Sequence, residues 1–255
     1  MTCGFSRDHY REILEVALER DYRCIRYDEL ENLSPGVKAC ILRHDIDYMP
    51  EWSVHLGAIE ADLEVVATYF FQICARTYNL RERETYAAVR YLANQGHVLG
   101  LHLDISWEKN ATWEDVPRQS QEEQKLFAAI TGVEPCEIIS VHNTHRFSDN
   151  ILNQQVAGIS HTYEQRYFSD IKYLSDSQGW YEGCPCQIFR EERYERIQLL
   201  THPYIWPQAS RGDFIEDMAA MVSLRRCELL DYLVQYHPVC SEHEERLRRL
   251  SRDEP

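Results

Sequence analysis

The chain of 255 residues lacks any run of about 18 apolar residues, which excludes a membrane-spanning helix. Its first twenty residues lack an apolar block: Arg7, Asp8, Arg11 and Glu12 stand where a secretion signal needs one. A cytoplasmic address is therefore expected. Positive charge is scarce, with 27 Lys and Arg against 42 Asp and Glu for a net charge of −15. That balance argues against nucleic acid, which rewards basic surfaces. Long Gly/Ser/Pro linkers and internal repeats are absent, so nothing divides the chain into an array. Nine cysteines are present, yet only Cys184-Pro185-Cys186 brings two close together. One residue separates those thiols and no second pair completes a zinc knuckle, so little weight is placed on a metal or redox role there. Cys24, Cys40, Cys74 and Cys136 lie in or beside apolar runs, where reduced Cys behaves as a small hydrophobe.

What is present reads as alternating helices and strands. Helical periodicity covers Asp8–Arg20, then about Pro50–Ala61, Glu82–Asn94, Glu114–Thr131, Ser148–Ala157 and Gly212–Val234. Strand-like runs lie at Cys24–Tyr27, Cys40–Arg43, Val65–Gln72, Val98–His102, Glu137–Val141, Lys172–Leu174 and Ile197–Leu200. Short continuous apolar runs separated by helices predict buried parallel strands joined by crossovers. The expectation is one α/β domain over residues 1–240, built on a mostly parallel sheet or irregular barrel, with a charged tail at 241–255.

Four of these runs end in side chains that carry chemistry. Arg43-His44-Asp45-Ile46-Asp47 offers two carboxylates on one face of a strand end, since side chains alternate with period two. A capping or loop role is the plain alternative, because Pro50 opens a helix just beyond. His102, Ser140-Val141-His142 and His202 occupy the ends of three further runs. A single His at such a place is more often packed than ligating. Three at corresponding ends, beside two carboxylates, suit Zn²⁺ or a similar first-row ion with open positions. His9, His55, His161, His237 and His243 have no such partners in the sequence and are read as structural.

With these motifs the chain resembles the polysaccharide deacetylases of carbohydrate esterase family four (NodB-like), nearest their intracellular sugar-modifying branch. The resemblance runs from about Ile41 to Trp206. It rests on His44-Asp45-Ile46-Asp47, the G-H-x-x-G-L-H-x-D stretch Gly96–Asp104, Ser140-Val141-His142, Leu199-Leu200-Thr201-His202-Pro203, and Asp170–Ser177 followed by Trp180. It implies an irregular (β/α)7-type barrel and a metal-dependent hydrolase that removes the N-acetyl group of an amino sugar. It implies Asp45 as base, His202 as general acid, and Asp47 and His102 as metal ligands, with Leu200 against the acyl methyl. The ion is expected to be zinc, with cobalt, nickel, iron or manganese as alternatives. The expected substrate is a cytoplasmic precursor of a surface polysaccharide of the lipopolysaccharide O-antigen or capsule type.

Two departures from the family stand out. Ser106 stands where a second ligand His is usual, which leaves His142, Asp104 or water to complete the metal site, with His142 favoured. Asn143 and Thr144 follow His142 where Arg-Pro is usual, so Arg43 or Arg146 is left to brace Asp45. Arg43, Trp180 and Trp206 are also expected on the substrate side, the two Trp and Tyr204 having flat faces suited to sugar rings. A non-catalytic carbohydrate-binding protein and a hydrolase of cyclic amides are the competing functions.

Overall fold

The computed structural model describes residues 3–105, 112–144, 158–177, 179–180, 183–207 and 213–251. The expected helix at 148–157, Ser106 and Arg146 lie outside them. The chain divides into two compact units, Met1–Ala209 and Ser210–Pro255.

The first unit opens with helix α1 (Arg7–Glu19), capped by Ser6, whose side chain accepts from the His9 N–H. There follow β1 (Arg23–Ile25), β2 (Ala39–Ile46), α2 (Ser53–Asp62), β3 (Thr68–Phe71), α3 (Arg83–Asn94) and β4 (Val98–Leu103). Then come α4 (Val116–Thr131), β5 (Ile139–Val141), α5 (Gln165–Phe168), β6 (Lys172–Ser175), α6 (Pro185–Arg190) and β7 (Arg196–Thr201). Glu82 caps α3 by accepting from the N–H groups of Glu84 and Thr85. Gly132 ends α4 at φ 68°, a left-handed conformation that glycine adopts without a Cβ penalty.

All seven strands pair in parallel in the order β5-β4-β3-β2-β7-β6, with β1 on the early half of β2. The sheet is curled. Ser140 of β5 and Asp45 of β2 are three strand spacings apart, about 14 Å on a flat sheet. Yet the Ser140 hydroxyl donates to Asp45 Oδ2 at 2.9 Å. The result is an all-parallel half-barrel, consistent with the expected (β/α)7 architecture.

Every position of β2 is buried, and alternation splits it between two environments. Cys40, Leu42 and Ile46 join the helix-side core with Ile13, Leu14, Leu56, Phe71, Phe189 and Leu199. Ala39 and Ile41 face the other way, toward Phe70, Ile138 and Tyr167. Above them on that face stand Arg43 and Asp45. Gly100 makes this packing possible, because a Cβ there would lie 2.6 Å from the Phe70 ring.

The second unit consists of α7 (Phe214–Tyr236), α8 (Pro238–Glu242) and α9 (Glu244–Leu250). Asp213 caps α7, and Arg248 of α9 pairs with Asp231 of α7 at 2.5 Å. No helix among the described residues is long and apolar enough to cross a membrane.

Candidate active site

The carboxyl ends of β2, β4, β5, β6 and β7 deliver the site, as parallel α/β architecture favours. Asp47 follows β2, His102 lies on β4 and His142 follows β5. Asp47 Oδ1 is 3.2 Å from His102 Nε2 and 3.1 Å from His142 Nδ1, and the two nitrogens are 3.0 Å apart. Donors about 2.0–2.2 Å from a common ion stand roughly 3.0–3.5 Å from one another, so this triad fits a divalent metal. Its outer partners fit as well. His102 Nδ1 lies 3.1 Å from the Ser140 carbonyl, which fixes the tautomer and leaves Nε2 free to ligate. Gln72 donates to Asp47 Oδ1 at 2.8 Å. Asp104 lines an adjoining pocket with Arg76 and Asn143 and is not part of the triad. Burial pushes the Asp47 carboxyl up, but hydrogen bonds from His102 and His142 hold it well below its ordinary value. Burial lowers the His142 imidazole, and Asp47 more than offsets this, leaving it raised.

Asp45 sits one layer deeper. Arg43 donates Nε to Oδ1 at 3.0 Å and Nη2 to Oδ2 at 2.7 Å, a two-pronged pair buried from solvent. Burial alone would raise the Asp45 carboxyl, but the Arg43 charge, then His102, bring it down to about 2. The brace is thus Arg43 of the same strand. Arg43 itself is 0% exposed and is further held by Ser140, Tyr163 and Gln198. The substrate contact expected of it is corrected: its guanidinium is spent inside the protein.

His202 follows β7 and takes its orientation from Asp176, which follows β6. Nδ1 is 2.6 Å from Asp176 Oδ1, and the His202 backbone N–H donates to Oδ2 at 2.8 Å. Burial lowers this imidazole, but Asp176 outweighs it and raises the group to about 9. Nε2 faces the triad, 3.7 Å from Asp47 Oδ2.

A cleft of about 430 Å³ joins these groups, lined by Asp45, Asp47, His102, His142, Leu200 and His202 among others. Its aromatic walls are Tyr163, Phe168, Tyr173 and Tyr204. Leu200 and Tyr204 line the cleft. Trp206 does not: it is fully buried and its indole N–H donates to Asp176 Oδ2 at 2.9 Å. Trp180 packs on Phe5 and Trp206 and is no part of the cleft lining. Both expected sugar-stacking roles are corrected, the flat faces being used in packing. Asp176, Ser140 and Tyr163 are site residues to which the sequence assigned no role. Asp176 carried a signal, as a carboxylate two residues beyond the Lys172–Leu174 run.

The sequence matches no protein-family model and no curated protein. Among solved structures it is similar to a chitin deacetylase from the fungal pathogen Colletotrichum lindemuthianum, at 14% identity and TM-score 0.40 over 74% of this chain and 82% of that one. A CE4 domain of a multidomain xylanase from the hindgut metagenome of Trinervitermes trinervoides gives 12% and 0.44, over 75% and 84%. A CE4-family pseudoenzyme from Bacillus anthracis gives 14% and 0.40, over 78% and 66%. The half-barrel is defined by its own strand order and parallel pairing, independently of these likenesses.

Proposed function

We propose that this chain is a NodB-like, metal-dependent deacetylase that hydrolyses the N-acetyl group of an amino sugar in a cytoplasmic surface-polysaccharide precursor. One observation carries the reading. Asp45, the Asp47/His102/His142 triad and the Asp176-held His202 open on one cleft, with Leu200 in its wall. Asp47, His102 and His142 would hold a divalent cation, zinc by their donor set, whose Lewis acidity would polarise the acetyl carbonyl and acidify water. Asp45 is ionised at neutral pH and accepts the proton of the attacking water. Arg43 and Ser140 keep its carboxylate from turning away. His202 is protonated at neutral pH and delivers its Nε2 proton to the leaving amine nitrogen as the C–N bond breaks, a contribution of about 10²–10⁴-fold. Leu200 gives the acetyl methyl an apolar contact.

The test is acetate release from a nucleotide-linked N-acetylhexosamine and a chitooligosaccharide, beside ammonia-free ring opening of a cyclic ureide. Acetate formation that depends on added metal and is abolished in Asp45→Asn is expected. An unchanged rate in that variant removes Asp45 as the base. Ureide opening without acetate release transfers the site to cyclic amides. A second reading, a non-catalytic carbohydrate-binding protein, is favoured by the engagement of both Asp45 oxygens, which makes it a weak base. Sugar binding without acetate release from any substrate would select it.

A further inference from the structure

Outside the cleft lining, three sulfurs and an imidazole converge. Cys184 and Cys186 flank Pro185 at the start of α6, Cys3 precedes α1, and His9 lies on α1. Cys3 Sγ is 3.8 Å from Cys186 Sγ, and Cys186 Sγ is 3.1 Å from Cys184 Sγ. His9 Nε2 is 3.0 Å from Cys184 Sγ. All four donor atoms lie within 4.8 Å of one another. None of the sulfur pairs is a disulfide, whose S–S bond is about 2.05 Å. Thiols are weak donors and weak acceptors, so such convergence gains little as hydrogen bonding alone. Thiolate sulfurs about 2.3 Å from a tetrahedral ion stand roughly 3.8 Å apart, which the Cys3–Cys186 pair already matches and which the Cys184–Cys186 pair, at 3.1 Å, reaches by a small opening.

The surroundings point the same way. His9 places its other ring nitrogen, Nδ1, 3.0 Å from Glu12 Oε2. That is the carboxylate–histidine arrangement that orients a ligating imidazole and raises its basicity. Arg190 donates to Glu12 Oε1 at 2.5 Å and reaches Cys186 Sγ at 3.6 Å. One guanidinium thus serves both the carboxylate behind the histidine and a sulfur in front of it, an arrangement that suits a site carrying three thiolates.

We infer that Cys3, His9, Cys184 and Cys186 form a closed, structural zinc site of the Cys3His type. Four protein donors leave no open position, which separates it in kind from the triad in the cleft. The ion would tie the start of the chain to α6 across 183 residues of sequence. The tie bears on the cleft through aromatic packing. Phe5, two residues after Cys3, packs on Trp180 at 5.8 Å and on Trp206 at 5.2 Å, and Trp206 donates to the Asp176 that holds His202. His9 and the Cys184-Pro185-Cys186 pair, read from sequence as structural and as an incomplete knuckle, complete each other only once the fold brings α1 to α6.

Cobalt substitution of the full chain tests the site without reference to activity. Thiolate sulfur bound to Co²⁺ gives a sulfur-to-metal charge-transfer band in the near ultraviolet, which the nitrogen and oxygen donors of the triad cannot produce. We expect that band in the native chain and in His102→Ala, and its weakening in Cys3→Ser, an exposed position whose change leaves the core intact. The zinc-loaded protein should hold about one ion per chain that survives His102→Ala. Its loss is expected in Cys184→Ser/Cys186→Ser. Absence of the charge-transfer band from the native chain overturns the site. So does a band indifferent to Cys3→Ser and Cys186→Ser alike, or a disulfide within the trio in protein purified without oxidant. Should the double variant fail to fold, the native spectrum and Cys3→Ser still decide.

Discussion

Asp176 grips His202 with both carboxylate oxygens, Oδ1 on the imidazole Nδ1 at 2.6 Å and Oδ2 on the backbone N–H at 2.8 Å. The side chain of His202 is therefore fixed in rotamer and in charge, since Asp176 is the main influence opposing burial and the imidazole is raised to about 9. A general acid must be protonated to act, so the alkaline limb of the kcat/KM profile should fall near pH 9. Asp176→Asn keeps the shape and removes the charge, which lowers the imidazole pKa. The limb should move to lower pH and kcat should drop by about 10-fold or more. An alkaline limb that stays in place in Asp176→Asn would show that His202 is not the acid.

Arg43 and Asp45 make a buried pair whose halves depend on each other. Removing Arg43 in Arg43→Met leaves an uncompensated buried carboxylate, which costs about 3–5 kcal/mol of stability. Asp45 then loses the charge that holds it at about 2, so its pKa climbs and the acid limb of activity moves to higher pH. The pair also sets an acid-stability window. Asp45 is lower folded than its ordinary 3.8, so its contribution is present above about pH 4 and is lost as the pH falls toward 2. The difference amounts to about 2 kcal/mol. Urea midpoints of the native chain and of Asp45→Asn across that range check it: the native curve should steepen relative to the variant's.

Much of this was legible in the residues themselves. The strand expected at Lys172–Leu174 is β6, and the helix expected at Glu82–Asn94 is α3 with Glu82 as its cap. Pro50 did open a helix, first as one 3₁₀ turn at Pro50–Trp52 and then as α2. The short α5 and α6 left no trace, because four or six residues are too few to display a helical period. Which face a side chain takes within a strand was legible, but what lies opposite was not. Arg43 and the two Trp looked equally able to meet a sugar, and only the curl of the sheet shows Arg43 meeting Ser140 and Trp206 meeting Asp176. The partnership of Cys3 and His9 with α6 was invisible for the same reason.

On the proposed reading, His142 is the residue on which metal retention would turn. Its backbone N–H donates to the Leu103 carbonyl at 2.8 Å, which sets the imidazole beside Asp47 and His102. Changes to residues behind a metal's ligands already cost about 10–100-fold in affinity, so loss of a direct donor should exceed that. His142→Ala should therefore weaken binding of zinc by more than about 100-fold in a chelator competition while leaving the fold intact by circular dichroism. An affinity within about threefold of the native chain would place the third ligand elsewhere.

His44 stands between Arg43 and Asp45 yet points to the opposite face of β2, where it meets a carboxylate that takes no part in the cleft. Glu60 of α2 is 0% exposed and lies 2.6 Å from His44 Nε2, while accepting from Tyr10 at 2.5 Å and Tyr69 at 2.6 Å. The other imidazole nitrogen, Nδ1, is 2.6 Å from the hydroxyl of Thr201, the residue before His202. Burial raises the Glu60 carboxyl, but His44 and the hydrogen bonds prevail and it lies below its ordinary 4.5. Its stabilisation is therefore complete above that ordinary value and disappears as the pH drops through the folded one. Glu60→Ala strands three buried donors and should cost about 3–5 kcal/mol near pH 7. Glu60→Gln keeps the volume and an acceptor, so it should lose less while flattening the acid end of the stability curve. Because His44 is tied through Thr201 to the strand end that carries His202, and is the chain neighbour of Asp45 on β2, both variants should lower kcat with little change in KM, and Gln less than Ala. Native stability in Glu60→Ala at neutral pH, by urea unfolding, would mean that the buried cluster relaxes around the loss and does not hold β2 against β7.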